Sequence, residues 1–132
     1  MCSSDLVHFI PFQKDPSAVF TGLTALLHTS TLPEPFGRVI VEAMAAGTPV
    51  IAANDGGVPE IITDGVDGFL APPGDVTAYL AALRKLLARA PDARLSAAAR
   101  EKVQRQFSIA RVRDDFVRLV GEVCEEIGRA HV

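Results

Sequence analysis

The chain has 132 residues, 48% of them hydrophobic, and a formal net charge of -3, which suits one domain with a buried core. Its 13 basic and 16 acidic residues are scattered rather than clustered and leave no electrostatic footprint for nucleic acid. No apolar run approaches the ~20 residues of a membrane span, and no basic-then-apolar leader follows Met1, so the chain reads as cytoplasmic.

Cys2 and Cys124 lack metal-type spacing and read as unpaired thiols of a cytosolic protein. His8, His28 and His131 form no ligand cluster, so no metal site is expected. Both ends read as non-native. Residues 1–6 and 126–132 back-translate in frame into opposite strands of a common sequencing adaptor, which leaves residues 7–125 as the domain.

In chain order, residues 7–12 form a short apolar run ended by proline, the pattern of a buried strand. Asp15 and Pro16 then mark a helix start, with Asp15 at the cap and Pro16 at the first helical position, and that helix ends near Gly22. Residues 25–29 are a second strand. Residues 38–46 read as a deeply packed helix, apolar almost all round and closed by Gly47. Residues 49–53 form a third strand, stopped by Asn54-Asp55-Gly56-Gly57, and residues 59–62 suit one helical turn. Residues 69–71 are the last strand. Asp75 caps a long helix through Ala90, whose apolar side is drawn from Val76, Tyr79, Leu80, Leu83, Leu86 and Leu87, the leucines reading as core. Pro91 and Asp92 break the chain before a helix through about Gln106. Ser108 caps a final helix running past Val120, with Phe116, Val117, Leu119 and Val120 on its buried side.

Short apolar strands alternating with helices, without two-residue hairpin signals, indicate parallel βαβ units. Ligands of such sheets bind beyond the carboxyl ends of the strands, where the loops holding residues 34–37 and 54–57 lie. Glu34 and Glu42 stand eight positions apart across that loop and helix. Gly37 at the helix mouth lets an anion approach the free N–H groups of the first turn. An acid one turn further in can accept hydrogen bonds from sugar hydroxyls of the same ligand. That is the chemistry of a sugar-nucleotide site. Taken singly, these residues have plainer readings. Glu34 would be a solvated loop acid, and Glu42 a helix acid paired with Arg38 for ~0.3–0.5 kcal/mol. His28 reads as a satisfied strand-end histidine, and Gly56 and Gly57 as backbone geometry. Asp64 and Asp67 read as turn residues.

Glu34-x7-Glu42 is embedded in Glu-Pro-Phe-Gly-Arg-Val-Ile-Val-Glu and followed by Ala-Met-Ala-Ala-Gly-Thr-Pro-Val. Three further motifs follow in order: residues 56–60 (Gly-Gly-Val-Pro-Glu), 64–69 (Asp-Gly-Val-Asp-Gly-Phe) and 72–75 (Pro-Pro-Gly-Asp). In these motifs the chain resembles the C-terminal, donor-binding part of a retaining GT-B glycosyltransferase of the GT4-like group (glycosyl transferases group 1), from about Val7 to Val123. The resemblance implies an α/β fold: a partial Rossmann-like, doubly wound parallel sheet flanked by helices, the truncated C-terminal domain of a GT-B protein. It implies a fragment that binds a nucleotide-diphospho-sugar donor for glycosyl transfer to an unidentified acceptor.

In that family the acid corresponding to Glu34 is catalytic and contacts hydroxyls of the transferred sugar. The acid corresponding to Glu42 binds the ribose, and N–H groups around Phe36, Gly37, Arg38 and Val39 hold sugar and diphosphate. No metal and no cofactor besides the donor are implied. A basic pair that neutralises the diphosphate, and an N-terminal acceptor domain, would lie outside the chain, leaving it inactive alone with one open sheet edge. Any membrane association would be peripheral, through the missing domain only. A non-catalytic nucleotide- or sugar-binding module of the same fold is the alternative. A Rossmann dehydrogenase is disfavoured because no Gly-x-Gly-x-x-Gly follows a strand.

Overall fold

The computed structural model describes residues 6–88 and 93–129. Three of the apolar runs are strands: β1 (Leu26–His28), β2 (Val50–Ala53) and β3 (Phe69–Ala71). They lie side by side in the order β1-β2-β3, all parallel, with Leu26 opposite Val50 and Ile51 opposite Phe69. Parallel neighbours need a crossover, and here each crossover contains a helix. α1 (Ser17–Thr21) precedes β1, α2 (Arg38–Ala46) joins β1 to β2, and α3 (Val58–Ile61) lies between β2 and β3. α4 (Val76–Ala88), α5 (Ala93–Gln106) and α6 (Ile109–Arg129) follow the sheet.

β2 is buried along its whole length, and the two-residue period of a strand splits its side chains between two cores. Val50 and Ala52 point into a cluster with Ile40, Met44, Val58, Ile61 and Val103, supplied by α2, α3 and α5. Ile51 points the other way, onto Phe69, Tyr79, Leu86 and Leu95. Helices therefore cover both faces, as a doubly wound sheet requires. Burying a side chain such as Ile40, Met44 or Ile51 stabilises by roughly 1.5–3 kcal/mol each.

α2 occupies the bounds expected of it. Gly37 caps its start at φ 73°, and Gly47 closes its end at φ 81°, donating its N–H to the carbonyls of Ala43 and Met44. Both angles belong to the left-handed region that glycine enters without strain. The Arg100 guanidinium of α5 donates to the Ala46 carbonyl at 2.9 Å, satisfying an acceptor the helix end leaves open.

Several expectations are corrected. Residues 7–12 join no strand among the described residues, and Phe9 and Phe12 are almost fully exposed. An apolar run becomes a strand only where a ladder accepts its backbone groups. The first helix begins at Ser17, with Pro16 itself in the cap position and the Asp15 carboxylate accepting the Ser17 N–H at 3.0 Å.

The leucine stripe of α4 is only partly core. Tyr79, Ala82 and Leu86 are buried, whereas Val76, Leu80 and Leu87 are exposed. The apolar face of this helix is wider than the three-stranded sheet beneath it. Leu80 and Leu83 instead line an open groove of about 350 Å³ with Leu27 of β1.

α6 starts as expected, the Ser108 hydroxyl accepting the Arg111 N–H at 3.2 Å, but Phe116, Val117, Leu119 and Val120 are all exposed. Amphipathicity gives a helix an apolar face without providing a surface to cover it. The expected helix end at Ala90 and the break at Pro91-Asp92 lie outside the described residues, as do Cys2 and His131.

Asp67 exceeds its expected turn role. Its carboxylate accepts the Thr63 N–H at 2.7 Å and pairs with Lys102 Nζ at 3.1 Å, and both side chains are nearly buried. The pair staples the turn before β3 to α5. Removing one partner strands a buried charge, so Asp67→Ala should destabilise the chain by about 3 kcal/mol. Urea denaturation checks this, and unchanged stability would contradict the buried-pair reading.

Candidate functional site

The carboxyl ends of β1 and β2 open onto the loops that hold the acids. His28 ends β1, and the chain runs from there to Glu34 and into α2. The Glu34 carboxylate turns back onto the start of that helix, where Oε1 accepts the Gly37 N–H at 3.0 Å. A negative group there meets the positive end of the helix dipole. The other oxygen, Oε2, lies 3.8 Å from His28 Nε2. Among the described residues, no acceptor is recorded for the N–H groups of Arg38 and Val39, the first two of the helix. Helix geometry leaves such donors to side chains, water or ligand.

The loop after β2 supports this arrangement from below. Gly57 N–H donates to the Glu34 carbonyl at 2.8 Å. A Cβ on Gly57 would stand 2.4 Å from the Pro35 carbonyl oxygen, and one on Gly56 the same distance from that of Glu34. These contacts are with backbone that cannot swing aside. The two glycines therefore permit close approach of the two loops, in addition to the left-handed turn at Gly56 (φ 59°).

The expected site residues divide into two groups. Glu34, Gly37 and the backbone of Arg38 and Val39 come together at the helix mouth. The Phe36 ring packs edge-on against Phe107, with centroids 5.9 Å apart, and ties the loop to the end of α5. The Val39 side chain packs against the larger core, so only its backbone is available at the helix start.

Glu42 lies one turn further in, about 6 Å along the axis from Arg38. It accepts from Arg38 Nε at 3.0 Å. It also lines a groove of about 450 Å³ between α2 and α1, with Asp15, Ser17, Phe20 and Thr21. Glu34 is not part of that groove's lining.

His28 departs from the satisfied histidine expected. Its Nδ1 is buried without a hydrogen-bond partner among the described residues. Its carbonyl accepts the Tyr79 hydroxyl at 2.9 Å, which pins the strand end to α4. Burial pushes the Tyr79 phenol above its ordinary pKa, keeping it a neutral donor. The sequence signal for His28 was its place at the carboxyl end of a parallel strand. Among the described residues, no three His, Cys, Asp or Glu side chains are grouped as a metal site, and no helix is long and apolar enough to cross a membrane.

The family model described as "Glycosyl transferases group 1" matches residues 3–102. The chain belongs to this glycosyltransferase family. It is 40% identical over 112 residues to the D-inositol 3-phosphate glycosyltransferase of Mycolicibacterium smegmatis, covering 84% of this chain and 25% of that protein. Among solved structures, HepE of Anabaena in complex with UDP superposes with a TM-score of 0.75 at 32% identity, covering 79% of this chain and 29% of HepE. HepE in complex with UDP-glucose gives 0.67 at 34% identity over the same shares. This group 1 chain thus carries the α/β fold of the C-terminal part of a GT-B glycosyltransferase, and it spans about a quarter of the length of the curated relative named here.

Gly57→Ala tests the support beneath Glu34. The added methyl group should cost about 1–3 kcal/mol as an overpacked contact and displace the Glu34 loop. Urea denaturation reads the first effect and the Gly37 amide resonance the second; wild-type values in both would contradict the close approach.

Proposed function

We propose that the chain is the donor-binding part of a retaining, GT4-like glycosyltransferase. It would take a nucleotide-diphospho-sugar and pass the glycosyl group to an acceptor with the anomeric configuration kept. The observation that carries this reading is Glu34 at the mouth of α2. One of its oxygens is on the Gly37 N–H, and among the described residues the Arg38 and Val39 N–H groups beside it have no acceptor. A diphosphate suits the positive end of a helix. Charge-assisted hydrogen bonds from sugar hydroxyls suit the free oxygen of Glu34, the catalytic residue of this reading. HepE, crystallised with UDP and with UDP-glucose, supports the choice of donor class.

Glu42 is assigned to the ribose hydroxyls. Its present partner does not stand in the way, because Arg38 is largely exposed and an exposed i,i+4 pair is worth only about 0.3–0.5 kcal/mol. Two ribose hydroxyls offer more than that. The leaving diphosphate is stabilised electrostatically by helix N–H groups and by cations, without a metal ion or other cofactor. The cations that neutralise the diphosphate and the acceptor site are assigned to parts of the parent protein beyond this chain, including its N-terminal domain. On this reading the chain alone is inactive.

In a protein joining this chain to the family's N-terminal domain, Glu34→Ala and Glu42→Ala should each lower nucleotide-sugar turnover by about 10- to 100-fold. That is the worth of one hydrogen bond to a charged group. UDP-, GDP- and ADP-sugars would be screened, with folding checked by circular dichroism. Full turnover in either variant contradicts the assignment. Donor binding without turnover by the parent would leave a non-catalytic nucleotide- or sugar-binding module.

A further inference from the structure

His28 has an arrangement that the fold alone does not require. Its side chain is only 14% exposed and its backbone is pinned by Tyr79. Nδ1 is buried and unpartnered among the described residues, while Nε2 faces Glu34 Oε2 across 3.8 Å. That gap is too long for a direct hydrogen bond. A neutral imidazole carries one N–H, and its place is assigned from the surroundings. Nδ1 is unmet whichever nitrogen carries the proton, but a proton on Nδ1 would in addition aim the Nε2 lone pair at a carboxylate. A proton on Nε2 avoids that repulsion. The ring therefore presents an N–H donor beside the one oxygen of Glu34 that the Gly37 N–H does not occupy.

We propose that His28 and Glu34 together bind one hydroxyl group of the transferred sugar. The hydroxyl oxygen accepts from His28 Nε2–H and its proton is donated to Glu34 Oε2. An oxygen about 2.8 Å from each partner spans a gap of this size without moving either side chain. The pair reads direction as well as polarity, because one side only donates and the other only accepts. His28 is then a binding residue for the sugar and has no part in holding the nucleotide. This inference rests on the donor-site reading given above.

The experiment uses a protein that joins this chain to the missing N-terminal parts of the family's protein, and measures its affinity for UDP-glucose and for UDP by calorimetry, with the GDP and ADP counterparts alongside. His28→Gln places an amide N–H₂ near the Nε2 position, and His28→Asn places one near Nδ1. The gain in affinity from the glucose moiety should survive in His28→Gln. It should fall about 10-fold in His28→Asn, the loss of about 1.4 kcal/mol expected for one hydrogen bond, while affinity for the free diphosphate stays unchanged.

An equal sugar-dependent gain in all three proteins would overturn the proposal and leave the donor site standing. No binding of any nucleotide by the wild-type joined protein would overturn the donor reading, and this contact with it. A measurement on the wild-type protein alone guards against misfolded variants: the ¹⁵N resonance of His28 Nε2 should move on addition of the nucleotide sugar and not of the diphosphate. An unmoved resonance at saturating nucleotide sugar would equally overturn it.

Discussion

Glu34 is held from two directions by backbone N–H groups, and most of what the site could do depends on that. Gly37 donates to its carboxylate and Gly57 donates to its carbonyl, so one residue links the start of α2 to the loop after β2. The link requires glycine at residues 56 and 57, because a side chain at either would meet the backbone of the opposite loop. It also requires both loops to leave the same end of the sheet, which the parallel pairing of β1 with β2 ensures. A hydrophobic strand buried on both faces therefore sets where a polar group stands at the surface. The chain of cause runs from Val50, Ile51 and Ala52 in the two cores to the carboxylate at the helix mouth.

The helix start combines features that are individually ordinary. N–H groups without acceptors occur at every helix N-terminus, and loop acids near them are common. Here, among the described residues, the acid occupies one donor and leaves its neighbours open, while its second oxygen faces a histidine whose inner nitrogen has no partner. Glu42 stands apart on the α1 side of the helix, in a separate groove, held by an exposed ion pair with Arg38. A ligand reaching both acids must run along the first turn of α2. An extended molecule with a charged centre and hydroxyls at each end meets that geometry.

How far the sequence could be read varied with the kind of interaction involved. α2 was legible to the residue because its limits are set locally, by glycine at both ends and an apolar run between them. β3 was legible for the same reason, since turn residues bracket it on both sides. Residues 7–12 have an equally good strand pattern, but pairing is a non-local event and no described strand receives them. The apolar face of α6 is exposed and that of α4 only partly buried, because a pattern of side chains says nothing about how wide the opposing surface is. The acid at the helix mouth was visible through topology, as ligands gather at the carboxyl ends of parallel strands. His28, at the same end, reads as satisfied from its strand-end place alone, but whether a ring nitrogen finds a partner depends on side-chain packing, and its Nδ1 has none among the described residues. Asp67 was underestimated likewise, its cation being supplied from α5.

A crystal structure of the chain with UDP-glucose would test the central claim most directly. The account predicts the diphosphate against the N–H groups of Arg38 and Val39, the ribose at Glu42 and the glucose at Glu34. A nucleotide seated elsewhere, with the start of α2 empty and Glu34 unchanged, would contradict it.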